Sequence, residues 1–296
     1  MGTLVGHLIP GLALVLLGLW HTINTISDYR LKGSSNFVSS FWYSFKSPTS
    51  KLKHLELLLV LSFSIFSISM QVLDYPSFRF SFKLDNFEHA TMFLHLAIFA
   101  GFNLCTELTH SSEVLSGMSG LLAASVFGQE LFLLHYHSAD HIGLEGHYHW
   151  LLQIIVFVSL MASLSATSFH ASFPAALVLA LSVVFQGCWF INMGFMLWVP
   201  KFVPQGCAVR LADASSNNML GAVICQSREA VLRARALANM QFSWILAGIM
   251  TFTACTCLNF ARNFKPRGQS MEYEQLQSRG ADVSVAITGF KQAANP

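Results

Sequence analysis

Charged residues are scarce in this chain. Only 11% of its 296 residues are Asp, Glu, Lys or Arg, whereas 53% are hydrophobic. Soluble domains carry about 25% charged residues, so the shortage excludes an ordinary soluble domain and favours a membrane protein. The formal net charge is only +2, and no basic stripe of the kind that nucleic-acid binding requires is present. We therefore expect the lipid bilayer, and not nucleic acid, as a partner.

Cysteines and recognisable catalytic motifs are also few. Six cysteines in a chain of this length do not form the disulfide framework of a small secreted domain. The sequence has no nucleophile motif, no phosphate-binding loop and no zinc-protease signature. A motif therefore does not assign the chain to an enzyme class.

Long apolar runs are abundant instead, and seven of them can cross about 30 Å of hydrocarbon. The first begins almost at Met1 without a basic n-region or a cleavage pattern, which predicts a retained span rather than a signal peptide. The pattern predicts an all-α membrane protein, a seven-transmembrane helix bundle over residues 1–261 with a disordered tail over residues 262–296. The predicted spans are 4–22, 54–73, 87–108, 114–136, 147–167, 174–199 and 240–259.

Basic residues in the connections predict the orientation. The first connection carries Arg30 and Lys32 with three further lysines, and the tail carries Arg262, Lys265 and Arg267 close to the last span. The positive-inside rule places both on the cytosolic side. The N-terminus is then outside or lumenal and the C-terminus cytosolic, in an endomembrane or the plasma membrane.

The outer loop over residues 200–239 is an exception to the positive-inside rule, because it carries five basic residues on the predicted outer side. Its later part, from Arg228, has an apolar face and an Arg face, so it either lies on the membrane interface or extends the last helix. Cys207 and Cys225 also lie in this loop. They could pair in an oxidising compartment, and two free thiols are the alternative.

Glu130 is the most informative single residue. It lies in an otherwise charge-free apolar run over residues 116–134, where a carboxylate costs roughly 2.5–3.5 kcal/mol on insertion scales and usually marks a partner or a function. His137 follows seven residues later, close to two helical turns, so the two side chains share a helix face. A structural Glu–His hydrogen bond and a functional site are both compatible with this spacing.

Histidines gather at the predicted outer ends of the spans, and together with Glu130 they suggest a metal site. Imidazole and carboxylate suit zinc, iron or a similar ion. Glu130 could be a ligand or a general base on a metal-bound water. The candidate metal ligands at the outer ends are His7, His89, Glu130, His137 and His149. A second set of histidines falls at the inner ends without a common spacing, and consists of His21, His54, His110 and His170.

Several motifs resemble the transmembrane protein 45 family, which includes plant viral-response membrane proteins and is known as a domain of unknown function. They are GHLIPG at 6–11, EHATM at 88–92, the stretch 130–137, HWLL at 149–152 and QGCWF at 186–190. The resemblance implies a seven-span bundle in endomembranes or at the cell surface, without a settled activity. It implies the same five site residues, and it gives no support to a role for His21.

These observations lead to competing functions. The first is a metal-dependent hydrolase that acts on a lipid-like substrate at the Glu/His site. The alternative is a non-enzymatic membrane adaptor or trafficking protein in which a Glu/His network is structural or senses lumenal acidity. A haem electron carrier is less favoured, because bis-histidine haem needs apolar pockets. An ion transporter is less favoured because few ionisable groups lie in the inner halves of spans three to five.

Overall fold

A computed structural model describes residues 3–45, 53–74, 79–80, 83–111, 115–136, 143–209 and 223–263. Seven helices in these ranges are long and apolar enough to cross a membrane, which confirms the predicted helices and fits a multi-pass membrane protein. The orientation of the chain stays a prediction, and residues 264–296 of the predicted tail lie outside the described ranges. The helices are α1 (Leu4–Lys32), α2 (Leu55–Val72), α3 (Leu84–Leu108), α4 (Ser116–Tyr136), α5 (Gly143–Ser168), α6 (Phe173–Trp198) and α7 (Arg228–Asn263).

Within the described ranges, two short antiparallel hairpins accompany the helices. Strands β1 (Leu73–Asp74) and β2 (Arg79–Phe80) follow α2, and β3 (Cys207–Val209) pairs with β4 (Val223–Cys225) between α6 and α7. Cys207 and Cys225 are opposite each other in the second hairpin and form a disulfide bond. The structure therefore selects the paired alternative for these two cysteines.

Two helices extend ten or more residues beyond their predicted spans. Helix α1 continues ten residues past Thr22 to Lys32, and the residue that follows it, Gly33, has a φ of 77°, in the left-handed region that glycine tolerates. Helix α7 begins at Arg228, so the amphipathic segment extends the last helix. Ala230, Ala234 and Ala238 lie four residues apart and are all buried, because one face of this extension packs against the rest of the protein.

The chain divides into two compact units, Met1–Phe252 and Thr253–Pro296. In the first unit the helices pack in the order α1, α6, α5, α4, α3 and α2, each against the next. We call the end that holds the start of α1 the outer end, and the opposite end the inner end. The last turns of α7 belong to the second unit.

Glycines bring α1 and α6 into close backbone contact. A Cβ atom on Gly187 would lie 2.5 Å from the backbone nitrogen of Val15, and one on Gly18 would lie 2.6 Å from that of Val184. Small residues permit such approaches in membrane helices, where van der Waals packing replaces the hydrophobic effect as the attraction between helices. These contacts fix the register of two antiparallel helices that lie far apart in the sequence.

The main core lies between α5 and α6 and continues to α7. Trp189 and Tyr148 are fully buried and stacked, and Nε1 of Trp189 donates to the carbonyl oxygen of Tyr148 at 3.0 Å. The Tyr148 hydroxyl donates to Oε1 of Gln241 on α7 at 2.8 Å, and Asn192 donates to the same oxygen at 3.2 Å. These bonds hold the first half of α7 against the outer ends of α5 and α6.

Candidate functional site

His7 and His149 lie side by side at the outer end. His7 is in the first turns of α1 and His149 is in the second turn of α5, and both are buried. Their ring centroids are 6.3 Å apart in an edge-to-face arrangement. The structure therefore brings together two of the five predicted metal ligands, from helices that are not adjacent in the sequence.

Both rings are oriented in the same way by their own helices. Nδ1 of His7 lies 3.0 Å from the carbonyl oxygen of Thr3, and Nδ1 of His149 lies 3.0 Å from that of Glu145. Since a carbonyl oxygen only accepts, Nδ1 is the protonated nitrogen of each ring. In the neutral ring Nε2 then carries the lone pair. Metal-binding histidines commonly donate their other N–H to a backbone carbonyl in this manner.

Aromatic side chains of α6 enclose the His7 ring. The Trp198 ring lies 4.3 Å from it, centroid to centroid, and the Phe190 ring lies 5.9 Å from it. Gly194 lies between these two positions on α6, and a Cβ atom there would approach Cβ of His7 at 3.2 Å. The absence of a side chain at Gly194 therefore leaves room for the imidazole against the helix.

Glu130 lies in a different place. It is only 8% exposed on α4, and the amide of Gln186 on α6 lies beside its carboxyl group. Gln186 is 1% exposed, yet neither of its side-chain polar atoms reaches hydrogen-bond geometry with a described residue. The two side chains are thus close without a well-formed bond between them.

The helix register shows how far Glu130 is from the histidine pair. Gln153 of α5 donates to the carbonyl oxygen of Leu134 on α4 at 2.9 Å. His149 is four residues toward the outer end from this contact, and Glu130 is four residues toward the inner end. At 1.5 Å per residue the axial separation is about 12 Å. The contacts between α1 and α6 give the same axial separation. Val15 of α1 lies at the level of Gly187 of α6, which is next to Gln186 in the sequence. Val15 is eight residues from His7 toward the inner end.

The side-chain directions increase this separation. A Cα–Cβ bond tilts toward the N-terminus of its helix, so His7 and His149 lean toward the outer end and Glu130 leans toward the inner end. Metal–ligand distances are about 2 Å, and one ion does not span both levels. Within the described ranges, no group of three or more His, Cys, Asp or Glu side chains is arranged to hold a metal ion.

The other two predicted ligands are not seen next to the histidine pair. His89 is half-buried near the start of α3, a helix that packs mainly against α2 and α4. His137 lies outside the described residues, as do Asp140 and His141 of the same connection. The predicted set of five ligands therefore stays a prediction, with two members placed together.

A second polar cluster, centred on Glu56, lies at the inner end. Glu56 is in the first turn of α2, and its side chain is 8% exposed. Its carboxylate accepts Nε2–H of His21 at 2.8 Å, Nε1–H of Trp20 at 2.8 Å and the backbone N–H of Tyr43 at 2.9 Å. Both carboxylate oxygens are thus bonded, and α1, the first connection and α2 are joined through one side chain.

Tyr43 extends the inner cluster into the first connection. Its hydroxyl lies 2.9 Å from Oγ1 of Thr25, and its ring contacts the His21 ring edge to face at 5.2 Å. Burial is the largest effect on this phenol and raises the pKa of Tyr43 from its ordinary value near 10 to about 12, while the hydrogen bond with Thr25 acts in the opposite direction. The hydroxyl therefore stays protonated at any physiological pH.

The sequence interpretation missed this cluster. It treated His21 as one of four inner-end histidines without a common spacing, and it did not consider Glu56. A signal was present, since Glu56 is a carboxylate just inside an apolar run, as Glu130 is. Its partners could not be identified from spacing, because Trp20 and His21 lie 36 and 35 residues before it.

A model of a known protein family without an assigned activity matches part of the chain. The matched residues begin at the first residue of α4 and end within α7. They include Glu130, His149, Gln186 and the disulfide, whereas His7 and the inner cluster precede them. This agrees with the resemblance to a domain of unknown function, and the narrower resemblance to the transmembrane protein 45 family stays a prediction. Residues 116–258 match the model of a family of unknown function, DUF716.

Proposed function

We propose that this multi-pass membrane protein binds a divalent metal ion, such as zinc, at the outer end of α1 and α5. The observation that carries the proposal is the His7–His149 pair, in which both rings are buried and both Nδ1 atoms donate to backbone carbonyls. Two imidazoles on one tetrahedral zinc have centroids roughly 5 Å apart, given Zn–N distances of 2.0–2.1 Å. The observed 6.3 Å needs to shorten by only about 1 Å.

Two histidines do not complete a zinc shell. Structural sites have four protein ligands and catalytic sites have three with a water. His137 and His89 are the predicted further ligands, and His137 is favoured because the short connection between α4 and α5 starts beside the outer end of α5. The disulfide in the α6–α7 connection supports an oxidising compartment for this end of the protein.

Hydrolysis of a lipid-like substrate would be the enzymatic extension of this proposal. It needs a general base close to the metal-bound water, and Glu130 is the predicted one. The axial separation of about 12 Å means that Glu130 would have to approach the pair by a change in helix packing. Metal binding therefore stands without Glu130, and hydrolysis depends on it.

Elemental analysis of the purified full-length chain tests the metal site. We expect about one metal ion per chain, and a decrease of at least about tenfold in His7→Ala and His149→Ala, since even loss of a supporting residue commonly lowers affinity ten- to a hundredfold. His147→Ala is the matched control, because His147 is on the same helix but bonds Oδ1 of Asn239. A metal content that is the same in all four proteins would contradict the proposal.

A second function, a structural polar contact without metal, is favoured by the position of Gln186 beside Glu130. This contact crosses from α4 to α6 and would stabilise the arrangement of helices on both sides of α5. A double-mutant cycle with Glu130→Gln and Gln186→Leu tests it, with an expected coupling of about 0.5–3 kcal/mol. Ser163→Ala is the control, because Ser163 is a buried hydroxyl of α5 without a described partner. Additive effects of the Glu130 and Gln186 changes would contradict this function.

A further inference from the structure

Three amphipathic aromatic side chains are exposed at the outer end, each on a different helix. Tyr136 at the end of α4 is 67% exposed, Trp150 of α5 is 54% exposed and Trp244 of α7 is 73% exposed. Trp189, by contrast, is fully buried in the main core. An exposed Trp or Tyr presents an apolar ring and one polar N–H or O–H group, a combination that suits a boundary between hydrocarbon and water.

The contact between α4 and α5 places Tyr136 and Trp150 at one depth. Gln153 of α5 donates to the carbonyl oxygen of Leu134 on α4 at 2.9 Å. Tyr136 is two residues from Leu134 toward the outer end, and Trp150 is three residues from Gln153 in the same direction. The difference of one residue corresponds to about 1.5 Å along the helix axis.

The contact between α5 and α7 adds Trp244 to the same depth. The hydroxyl of Tyr148 on α5 donates to Oε1 of Gln241 on α7 at 2.8 Å, and both helices run from the outer end inward. Trp150 is two residues beyond Tyr148, and Trp244 is three residues beyond Gln241, so the two differ in depth by about 1.5 Å. We call the common depth of Tyr136, Trp150 and Trp244 the aromatic level.

The charge-free length below the aromatic level matches the thickness of a bilayer. No Asp, Glu, Lys or Arg follows Trp150 in α5, whose remaining 18 residues rise about 27 Å. In α1, His7 lies beside His149 at the aromatic level, and the first charged residue after it is Asp28, about 31 Å further inward. A hydrocarbon core is about 30 Å thick. On the outward side of Trp150, charge returns at Glu145.

We propose that Tyr136, Trp150 and Trp244 bind the headgroup layer of the adjacent phospholipid leaflet and so fix the depth of the bundle in the bilayer. The glycerol and ester oxygens of the lipids are the acceptors for the indole N–H and phenol O–H groups. His149 is next to Trp150 in the sequence, so the histidine pair then lies at headgroup depth, whereas Glu130 lies about 12 Å deeper.

The depth has a consequence that rests on the proposed metal site. A metal ion on His7 and His149 would meet the phosphate and glycerol groups of a lipid, and not its acyl chain. The lipid-like substrate of the proposed function would then be bound through its headgroup. The depth itself does not require a metal ion.

Depth-dependent fluorescence quenching tests the proposal with the full-length chain in phosphatidylcholine vesicles. The lipids carry bromine atoms at a series of positions along the acyl chain. Subtraction of the Trp150→Phe or Trp244→Phe signal from that of the unaltered chain isolates the emission of each indole. We expect both to lie about 15 Å from the bilayer centre, half the hydrocarbon thickness. A depth below about 10 Å from the centre, or no quenching because a second copy or another protein covers the rings, would overturn the proposal.

Trp20→Phe provides the contrast in depth. Trp20 follows His7 by 13 residues in α1 and therefore lies about 20 Å below the histidine pair. Its isolated emission is expected to come from within about 5 Å of the bilayer centre. Equal depths for Trp20 and Trp150 would overturn the proposal.

Photo-crosslinking of the unaltered chain avoids the risk that a variant does not fold. Phe157 and Met250 are also exposed and lie about 10 Å inward of Trp150 and Trp244 on the same helices. A phosphatidylcholine with a headgroup diazirine is expected to label the tryptophan positions, and one with a diazirine at the end of its acyl chain is expected to label the deeper pair. The same pattern for both probes, or a reversed one, would overturn the proposal. His149→Ala is expected to keep the labelling pattern while its metal content falls, so failure of the metal site and failure of the depth assignment are distinguished.

Discussion

Nε2 of His21 lies 2.8 Å from Oε1 of Glu56, and this contact joins the first two helices at the inner end. The same carboxylate also bonds Trp20 and the backbone of Tyr43. A single acidic side chain thus satisfies three donors from two segments of the chain. Such networks are costly to break, because each donor that is left buried without a partner costs about 1–3 kcal/mol.

Replacement of Glu56 by alanine is expected to destabilise the protein strongly. The Trp20 and Tyr43 N–H groups would lose their acceptor, and we expect a loss of about 2 kcal/mol or more. The measurement is the thermal midpoint of the detergent-solubilised protein, followed by loss of the monodisperse peak in size-exclusion chromatography. The control is Glu229→Ala, because Glu229 is 84% exposed in its pair with Arg233 and is expected to contribute less than about 1 kcal/mol. Equal midpoints for the two variants would contradict the role of Glu56.

Alkaline pH is expected to weaken the inner cluster through Tyr43. The folded state raises the pKa of Tyr43 to about 12 from near 10, so the folded state holds this proton more tightly than the unfolded state. The contribution is fully present below pH 10 and is lost as the pH rises through 12. Unfolding rates measured between pH 9 and 12 should rise less steeply in Tyr43→Phe than in the unaltered protein. Identical slopes would show that the phenol does not titrate in this way.

Alanine at Gly187 is expected to disrupt the packing of α1 against α6. The added Cβ atom would lie 2.5 Å from the Val15 nitrogen and 2.6 Å from the Gly11 carbonyl oxygen, and backbone atoms of a packed helix cannot move aside cheaply. Gly248→Ala adds the same atom where nothing lies within 4 Å and serves as the control. Expression yield and thermal midpoint should fall for Gly187→Ala and stay near those of the unaltered protein for Gly248→Ala. A normal midpoint for Gly187→Ala would contradict the observed helix contact.

Metal binding at the His7–His149 pair is expected to be visible in the fluorescence of Trp198. The Trp198 ring lies 4.3 Å from the His7 ring, close enough for a paramagnetic ion such as Cu²⁺ on Nε2 to quench its emission. We expect saturable quenching that is lost in Trp198→Phe and in His149→Ala. Trp20→Phe should retain it, because Trp20 is bonded to Glu56 at the inner end. Quenching that persists in Trp198→Phe would place the ion elsewhere.

The seven helices could be predicted from the sequence because the length of an apolar run corresponds directly to the thickness of a bilayer. The extension of α1 to Lys32 could not be predicted from hydropathy, because Asn24, Asp28 and Arg30 end the apolar run although the helix continues. The disulfide was one of two alternatives, and its choice depends on the hairpin that places Cys207 opposite Cys225.

Helix neighbours were the harder part of the prediction. Spans that are joined by a short connection are neighbours by necessity, as α4 and α5 are, but the contact between α1 and α6 depends on glycine positions. Gly11 and Gly18 are seven residues apart, as are Gly187 and Gly194, so each pair marks one face of its helix over two turns. This shared spacing is a signal in the sequence that could have suggested the contact.

The candidate site was predicted only in part, because the prediction considered which face of a helix each residue occupies but not its depth along the helix. The expectation that His7 and His149 meet follows from topology, since both start spans at the outer end. The expectation that Glu130 joins them used the seven-residue spacing to His137, which gives a common face but also about 10 Å of axial rise. Depth along a helix matters as much as the face does, and the contacts of Gln153 and Gly187 were needed to establish it.

The pairing of α1 with α6 has a consequence for biosynthesis. The first helix leaves the ribosome early, but its glycine-lined face is covered only after residue 194 has been made, about 160 residues later. At synthesis rates of about 5–20 residues per second, the delay is roughly 8–30 s. During that interval the nascent first segment needs a temporary companion, such as lipid or an insertion chaperone, and variants that slow translation of the middle of the chain should increase its degradation.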